Sequence, residues 1–115
     1  MSKREISLLI DDMFQCCLKI KKYADGSDFD SFINDDKTID AIVRNIEVIG
    51  EASTQISPDF KLNYPFVEWN ELKGIRNRIV HEYFGIDYEV IWNIIDEEID
   101  VLIKNLEIIK NDLSN

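Results

Sequence analysis

The side chains best equipped for proton and phosphate chemistry fall in one short run, Gly74-Ile75-Arg76-Asn77-Arg78-Ile79-Val80-His81-Glu82-Tyr83-Phe84-Gly85-Ile86-Asp87. His81 is the only histidine of the chain. Its imidazole, with an unperturbed pKa of about 6.5, is the group best suited to give and take protons near neutrality. Cleavage of RNA by its own ribose 2′-hydroxyl needs a base for that hydroxyl and positive charge for the phosphorane-like transition state. A His and an Arg supply both without a metal. Arg76 stands five positions before His81, and Lys73, Arg76, Arg78 and His81 concentrate positive potential in one stretch.

The element that carries these residues reads as a third helix, from about Val67 to Phe84, stopped by Gly85. At about 100° per residue, Leu72, Ile75, Ile79, Val80, Tyr83 and Phe84 span half of that helix, and Arg76 falls inside the apolar arc. A guanidinium there must snorkel, pair with a carboxylate such as Glu47 or Glu51, or sit at an interface. Asn77 and His81, four apart, share a neighbouring face, and Arg78 lies further round on the polar side. Gly74 costs about 1 kcal/mol relative to Ala inside a helix, which close backbone packing or substrate approach would explain. A lone His on a helix edge is also an ordinary structural residue, so the residue types alone leave a catalytic and a structural role open.

Three other helices are expected around it. The first runs from about Ser2 to Tyr23, with Ile6, Leu9, Ile10, Met13, Cys17 and Ile20 as its apolar stripe. A loop over Ala24 to Ser31 follows, with one turn of helix around Phe32. The second helix begins near Asp36 and lines one face with Ile39, Ile42, Val43, Ile46, Ile49, Gly50, Ser53 and Ile56. Gly50 and Ser53, small residues inside that stripe, mark where another helix comes close. Ser57-Pro58 through Tyr64-Pro65 is read as the connection. Asp87 caps a fourth helix to about Asp112. Its apolar positions Trp92, Ile95, Ile99, Leu102, Leu106, Ile109 and Leu113 alternate three and four apart, a seam more fitting for core than for docking. Residues 1–115 thus form a single all-α domain, economically an antiparallel bundle.

Composition narrows the function. The chain has 23 acidic against 13 basic residues, a formal net charge of −10. Such a surface repels phosphate backbones at long range, so any RNA chemistry must rely on a local basic site; it also suits docking of a basic partner. No run of about 18 uncharged apolar residues is present, and the first residues lack the apolar core of a signal peptide, so a cytoplasmic, non-membrane protein is expected. Cys16 and Cys17 are adjacent, point in different directions on a helix, and read as small packing residues rather than as a disulfide or metal site.

The run around Arg76 resembles the signature of the HEPN superfamily, specifically its HepT-like toxins. There an Arg, four residues, a His, one residue and a Tyr form the functional motif, often with a polar residue after the Arg; here these are Arg76, Asn77, His81 and Tyr83. Ile49-Gly50-Glu51-Ala52 is similar to a second stretch of that family, and helix number and order match over essentially the whole chain. The resemblance implies a four-helix up-and-down bundle that dimerises around the third-helix motif, so that two motifs face one cleft. It further implies a metal-independent endoribonuclease without cofactor, acting on RNA and not DNA, as the toxin of a type VII-like toxin–antitoxin pair. Arg76 and His81 would be catalytic, with Asn77, Arg78 and Tyr83 supporting or contacting substrate. The partner implied is a nucleotidyltransferase antitoxin of the MntA type that transfers AMP onto Tyr83. On a continuous helix Tyr83 lies two turns from Arg76, where an adenylyl group would set bulk and negative charge against an incoming phosphate. Two readings from other classes remain beside this one. One is a non-catalytic nucleotide-binding or regulatory subunit of a nucleotidyltransferase, holding phosphate with Arg76, Arg78 and His81. The other is a structural partner that docks through the seam of the fourth helix.

Overall fold

The computed structural model describes residues 1–81 and 85–115, His81 by its backbone alone. Helix α1 (Lys3–Ala24) begins where the Ser2 hydroxyl accepts the Glu5 N–H and ends with Lys21 and Lys22 in its last turn, cations well placed against the helix dipole. The one-turn α2 (Phe29–Ile33) opens on a capping box between Asp28 and Ser31 and buries Phe32 completely, as expected. Helix α3 (Asp36–Gln55) is capped by the Asp35 carboxylate on the Thr38 N–H. It buries Ile39, Ile42, Ile46, Ile49, Gly50 and Ser53, the face the spacing indicates, with Val43 half-buried at its edge.

The connection after α3 is more ordered than expected. Ser57 caps and Pro58 opens a further turn, α4 (Pro58–Leu62), because proline's missing N–H costs nothing at a first helical position.

The third helical pass departs most from expectation. Instead of one helix to Phe84 there are two short ones, α5 (Trp69–Lys73) and α6 (Ile75–Ile79), joined at Gly74. Gly74 has φ −93° and ψ 7°, and a Cβ there would meet only the Asn70 carbonyl oxygen at 3.7 Å. Close packing does not explain it; it sits at a break. The close approach is at Gly50, where a Cβ would lie 2.9 Å from both Ile75 Cγ2 and the Leu72 carbonyl oxygen. Gly50 thus sets how near α5 and α6 come to α3.

After Ile79 the backbone turns extended, with Val80 at φ −123° and ψ 121°. Strand β1 (Val80–His81) pairs antiparallel with β2 (Gly85–Ile86), Val80 opposite Ile86 and His81 opposite Gly85. Gly85 has φ +72°, so it serves this ladder and not a helix cap. The Ile79 carbonyl accepts the Asp87 N–H at 2.8 Å, which ties off the helix end. The expected helix over Val67–Phe84 is corrected accordingly, as is the shared helical face of Asn77 and His81.

Asp87 then caps the fourth pass as expected, by accepting the Val90 N–H at 3.1 Å. This pass is α7 (Tyr88–Asn93), one π-helical turn (Ile94–Glu98) and α8 (Ile99–Leu113). The extra residue per turn buries Ile91, Ile94 and Ile95 together, while Trp92 lies half-buried against Phe29 and Phe32. From Ile95 through Ile109 the seam of the fourth helix is core. Four helical passes therefore enclose one core of isoleucines, in which Cys16 and Cys17 are buried free thiols; burial pushes the Cys17 thiol up to about 12. No helix is long and apolar enough to cross a membrane, among the described residues.

Candidate active site

The segment expected to carry the chemistry is held from two sides. Ile75 and Ile79 anchor α6 in the core, with Ile75 wedged against Gly50 of α3. Arg78 reaches across to the π turn and makes a two-pronged bond to Glu98, Nη1 to Oε1 at 2.9 Å and Nη2 to Oε2 at 2.8 Å. Asn93 Nδ2 also donates to Glu98 Oε2, at 3.4 Å. The Arg78 bond holds the Glu98 carboxyl below the usual carboxylate range, and Glu98 in turn raises the Arg78 guanidinium further. Parallel bonds of this kind fix geometry as well as charge.

Arg76 is different. It is exposed, not buried within an apolar arc, and among the described residues it forms no ion pair with Glu47, Glu51 or any other carboxylate. Its carbonyl accepts the Val80 N–H at the end of α6. Asn77 is exposed beside it, its N–H bonded to the Gly74 carbonyl at 3.0 Å. A solvated guanidinium followed by an amide is a ready receptor for a phosphate that approaches from outside.

His81 follows two residues beyond the helix, with its backbone paired to Gly85. Arg76 thus stands in α6 and His81 on the strand that follows it. Tyr83, the residue tied to adenylylation, lies outside the described residues. The continuous helix on which a two-turn relation to Arg76 was expected ends at Ile79.

Behind α6, on the side of Arg78, lies a cavity of about 320 Å³ between α3, α5, α6 and the fourth pass. Its walls are Ile49, Leu72, Ile75, Ile94, Ile99 and Leu102, and Glu68, Glu71, Glu97 and Glu98 stand round it. Sequence reasoning missed this cavity and the role of Glu98. The signal was the long-range spacing of Arg78 and Glu98, readable only once a π turn is granted. Among the described residues no three His, Cys, Asp or Glu side chains gather as a metal-binding group.

Comparison with known proteins gives a consistent picture. The model of a family described as "Ribonuclease HepT-like" matches residues 13–109. The chain is 37% identical over 109 residues to a Methanocaldococcus jannaschii protein named "Putative RNase MJ1380", which covers 95% of this chain and all of that one. A second protein of that organism, "Putative RNase MJ0127", is 35% identical over 98% of this chain and 93% of its own. The "Probable ribonuclease HepT" of Thermococcus cleftensis is 35% identical over 87% of this chain and 91% of its own. No solved structure matches.

Proposed function

Because the chain belongs to the ribonuclease HepT-like family, we propose that it is a metal-independent endoribonuclease in which Arg76 and His81 do the chemistry. The observation that carries this reading is the exposed guanidinium of Arg76 in α6, without an ion-pair partner among the described residues, five residues before the only histidine of the sequence. His81 takes the proton of a ribose 2′-hydroxyl as that oxygen attacks the adjoining phosphorus. Arg76 pairs with the non-bridging oxygens as charge builds on them, and an imidazolium returns a proton to the departing 5′-oxygen. The products are a 2′,3′-cyclic phosphate and a 5′-hydroxyl, and DNA, which lacks the nucleophile, is not cleaved. Asn77 orients substrate beside Arg76. Arg78, fully engaged by Glu98, supports the site by holding α6 in place.

The acidic surface fits a toxin whose action is local. A second copy of the chain would bring a second Arg76 to the same cleft and strengthen a charge site that one chain fills weakly. Regulation follows from the same chemistry. A nucleotidyltransferase antitoxin that places AMP on Tyr83, two residues beyond His81, would set an anion where the substrate phosphate must enter. This pairing belongs in the cytoplasm, beside the RNA.

The test is cleavage of total RNA with EDTA present, by the wild-type chain purified without a partner and by His81→Ala. Cleavage by wild type alone, abolished when the reacting nucleotide is 2′-deoxy, is the expected result. Equal cleavage by the folded His81→Ala chain overturns the assignment. The net charge of −10 favours a second reading, a nucleotide-binding regulatory subunit, which calorimetry with ATP would reveal as binding without turnover.

A further inference from the structure

The corner made by α4, residues 63–68 and α5 holds groups that the proposed chemistry leaves unused. Lys61 places its Nζ 5.6 Å from the centre of the Trp69 ring. Lys73 follows Trp69 by four residues on α5, one helical turn, so the two lysines flank the same indole. Burial, and then the nearby charge of Lys73, lowers the Lys61 pKa. Among the described residues neither lysine is in an ion pair. Together they place two ammonium groups side by side in a chain with 23 acids to 13 bases. Glu68 and Glu71, on the same helix, border the cavity against the fourth pass instead.

The aromatic side of the corner is rigid. Tyr64 packs on Phe60 at 5.1 Å and meets Phe66 edge-on at 5.9 Å, and its carbonyl accepts the Trp69 Nε1–H at 2.9 Å. Tyr64 is itself pinned, its hydroxyl donating to Asp112 at 2.9 Å. Out of this fixed cluster Phe66 shows 45% of its surface to solvent. A held aromatic face beside two cations is the combination that grips an unpaired nucleic-acid strand, the base stacking and the backbone neutralised. Position supplies the direction, because Lys73 ends α5 and stands three residues before Arg76 of α6 in the sequence.

We propose that this corner is a subsite for single-stranded RNA, in which Lys61 and Lys73 take successive phosphates, an unstacked base lies on Phe66, and the strand is led onto Arg76. The inference rests on the ribonuclease reading and adds to it where the substrate lies and which form of RNA is taken. A duplex offers no free base face, so the subsite selects unpaired segments. It also bears on the difficulty raised by the net charge, since the strand meets two neighbouring ammonium groups that are in no ion pair among the described residues.

The experiment uses the full-length His81→Ala chain, so that the RNA survives, and a short fluorescently labelled single-stranded RNA followed by anisotropy over a range of salt. In that background Lys61→Ala with Lys73→Ala is expected to weaken binding about tenfold and to flatten the log–log salt slope by about 1.4, the share of two phosphates on a single strand. Lys61→Arg with Lys73→Arg keeps both. Phe66→Ala weakens binding about tenfold with the salt slope unchanged, as loss of one stacked base should. Lys73 and Phe66 are exposed and Lys61 is half-buried, and circular dichroism checks that the helices persist. Placed in the cleaving chain, the same changes raise KM and leave kcat as it was. Binding that ignores the lysine and Phe66 changes overturns the subsite while cleavage by wild type still supports the ribonuclease, and the corner is then a surface for a protein partner. Binding that follows the subsite without cleavage by wild type retains the subsite and overturns the ribonuclease. No binding of RNA at all overturns the subsite outright.

Discussion

A guanidinium bonded through both Nη atoms to one carboxylate has little charge left for a phosphate, and Arg78 is so placed on Glu98. Arg76, two residues earlier, has no such partner among the described residues. The two arginines should therefore fail in different ways. Arg76→Ala is expected to lose about 10²–10³ in kcat with an unchanged urea midpoint, the scale of removing one transition-state charge donor. Arg78→Ala should instead lower stability by about 1 kcal/mol, because both partners are about one-third exposed and water screens the pair. The pair also has a pH signature. Glu98 has a folded-state pKa below its unfolded one, so its contribution is present above the ordinary carboxylate value and is lost as pH falls through the lowered one. The stability gap between wild type and Glu98→Gln should be full above about pH 5 and close as the solution is acidified. A gap that persists at low pH would assign the effect to packing and not to charge.

At the scale of elements, the site depends on how closely α5 and α6 lie on α3, and Gly50 decides that distance. Gly50→Ala gains helix propensity of about 1 kcal/mol. Against it, the new Cβ would stand 2.9 Å from a backbone carbonyl oxygen, which cannot swing aside as a side chain can. Overpacking of this kind costs about 1–3 kcal/mol, so the net effect is a lower urea midpoint and reduced cleavage as α6 is pushed off its seat. A chain more stable than wild type would show that the helices separate freely. The small residue in an isoleucine stripe made this contact legible from sequence, as periodicity did for α1, α3 and the fourth pass. The break of the third pass was not legible. Val80 fits a helical apolar arc and a strand equally well, and what chose the strand is the pairing with Gly85–Ile86 and the bond from Asp87 to Ile79, both beyond helical reach. The π turn was hidden for the same reason. A three-four spacing fits Trp92, Ile95 and Ile99, and only the Arg78–Glu98 bond and the burial of Ile91 and Ile94 reveal the extra residue. The motif residues were singled out by type, spacing and the family resemblance, and the local backbone that carries them was not legible.

For the molecule as a whole, one chain presents a single exposed Arg76 against a formal charge of −10, so the chemistry gains most if two copies share a cleft. Joining two acidic chains costs long-range repulsion, which salt near 0.15 M reduces to a range of about 8 Å. What a second chain would add is close-range charge at the phosphate, where screening is weak. This has a consequence in mixtures. If each productive cleft needs Arg76 from both protomers, wild type re-associated with an equal amount of Arg76→Ala forms fully competent dimers as only about a quarter of the total. Cleavage should then fall to about a quarter of the all-wild-type rate at the same chain concentration, and should follow the square of the wild-type fraction as the mixture is varied. Protomers that act independently would give half the rate and a straight line. Light scattering on the same samples checks that the dimer persists. A linear response with an intact dimer assigns the second chain to stability alone, and leaves Arg76 and His81 of one protomer to carry the reaction.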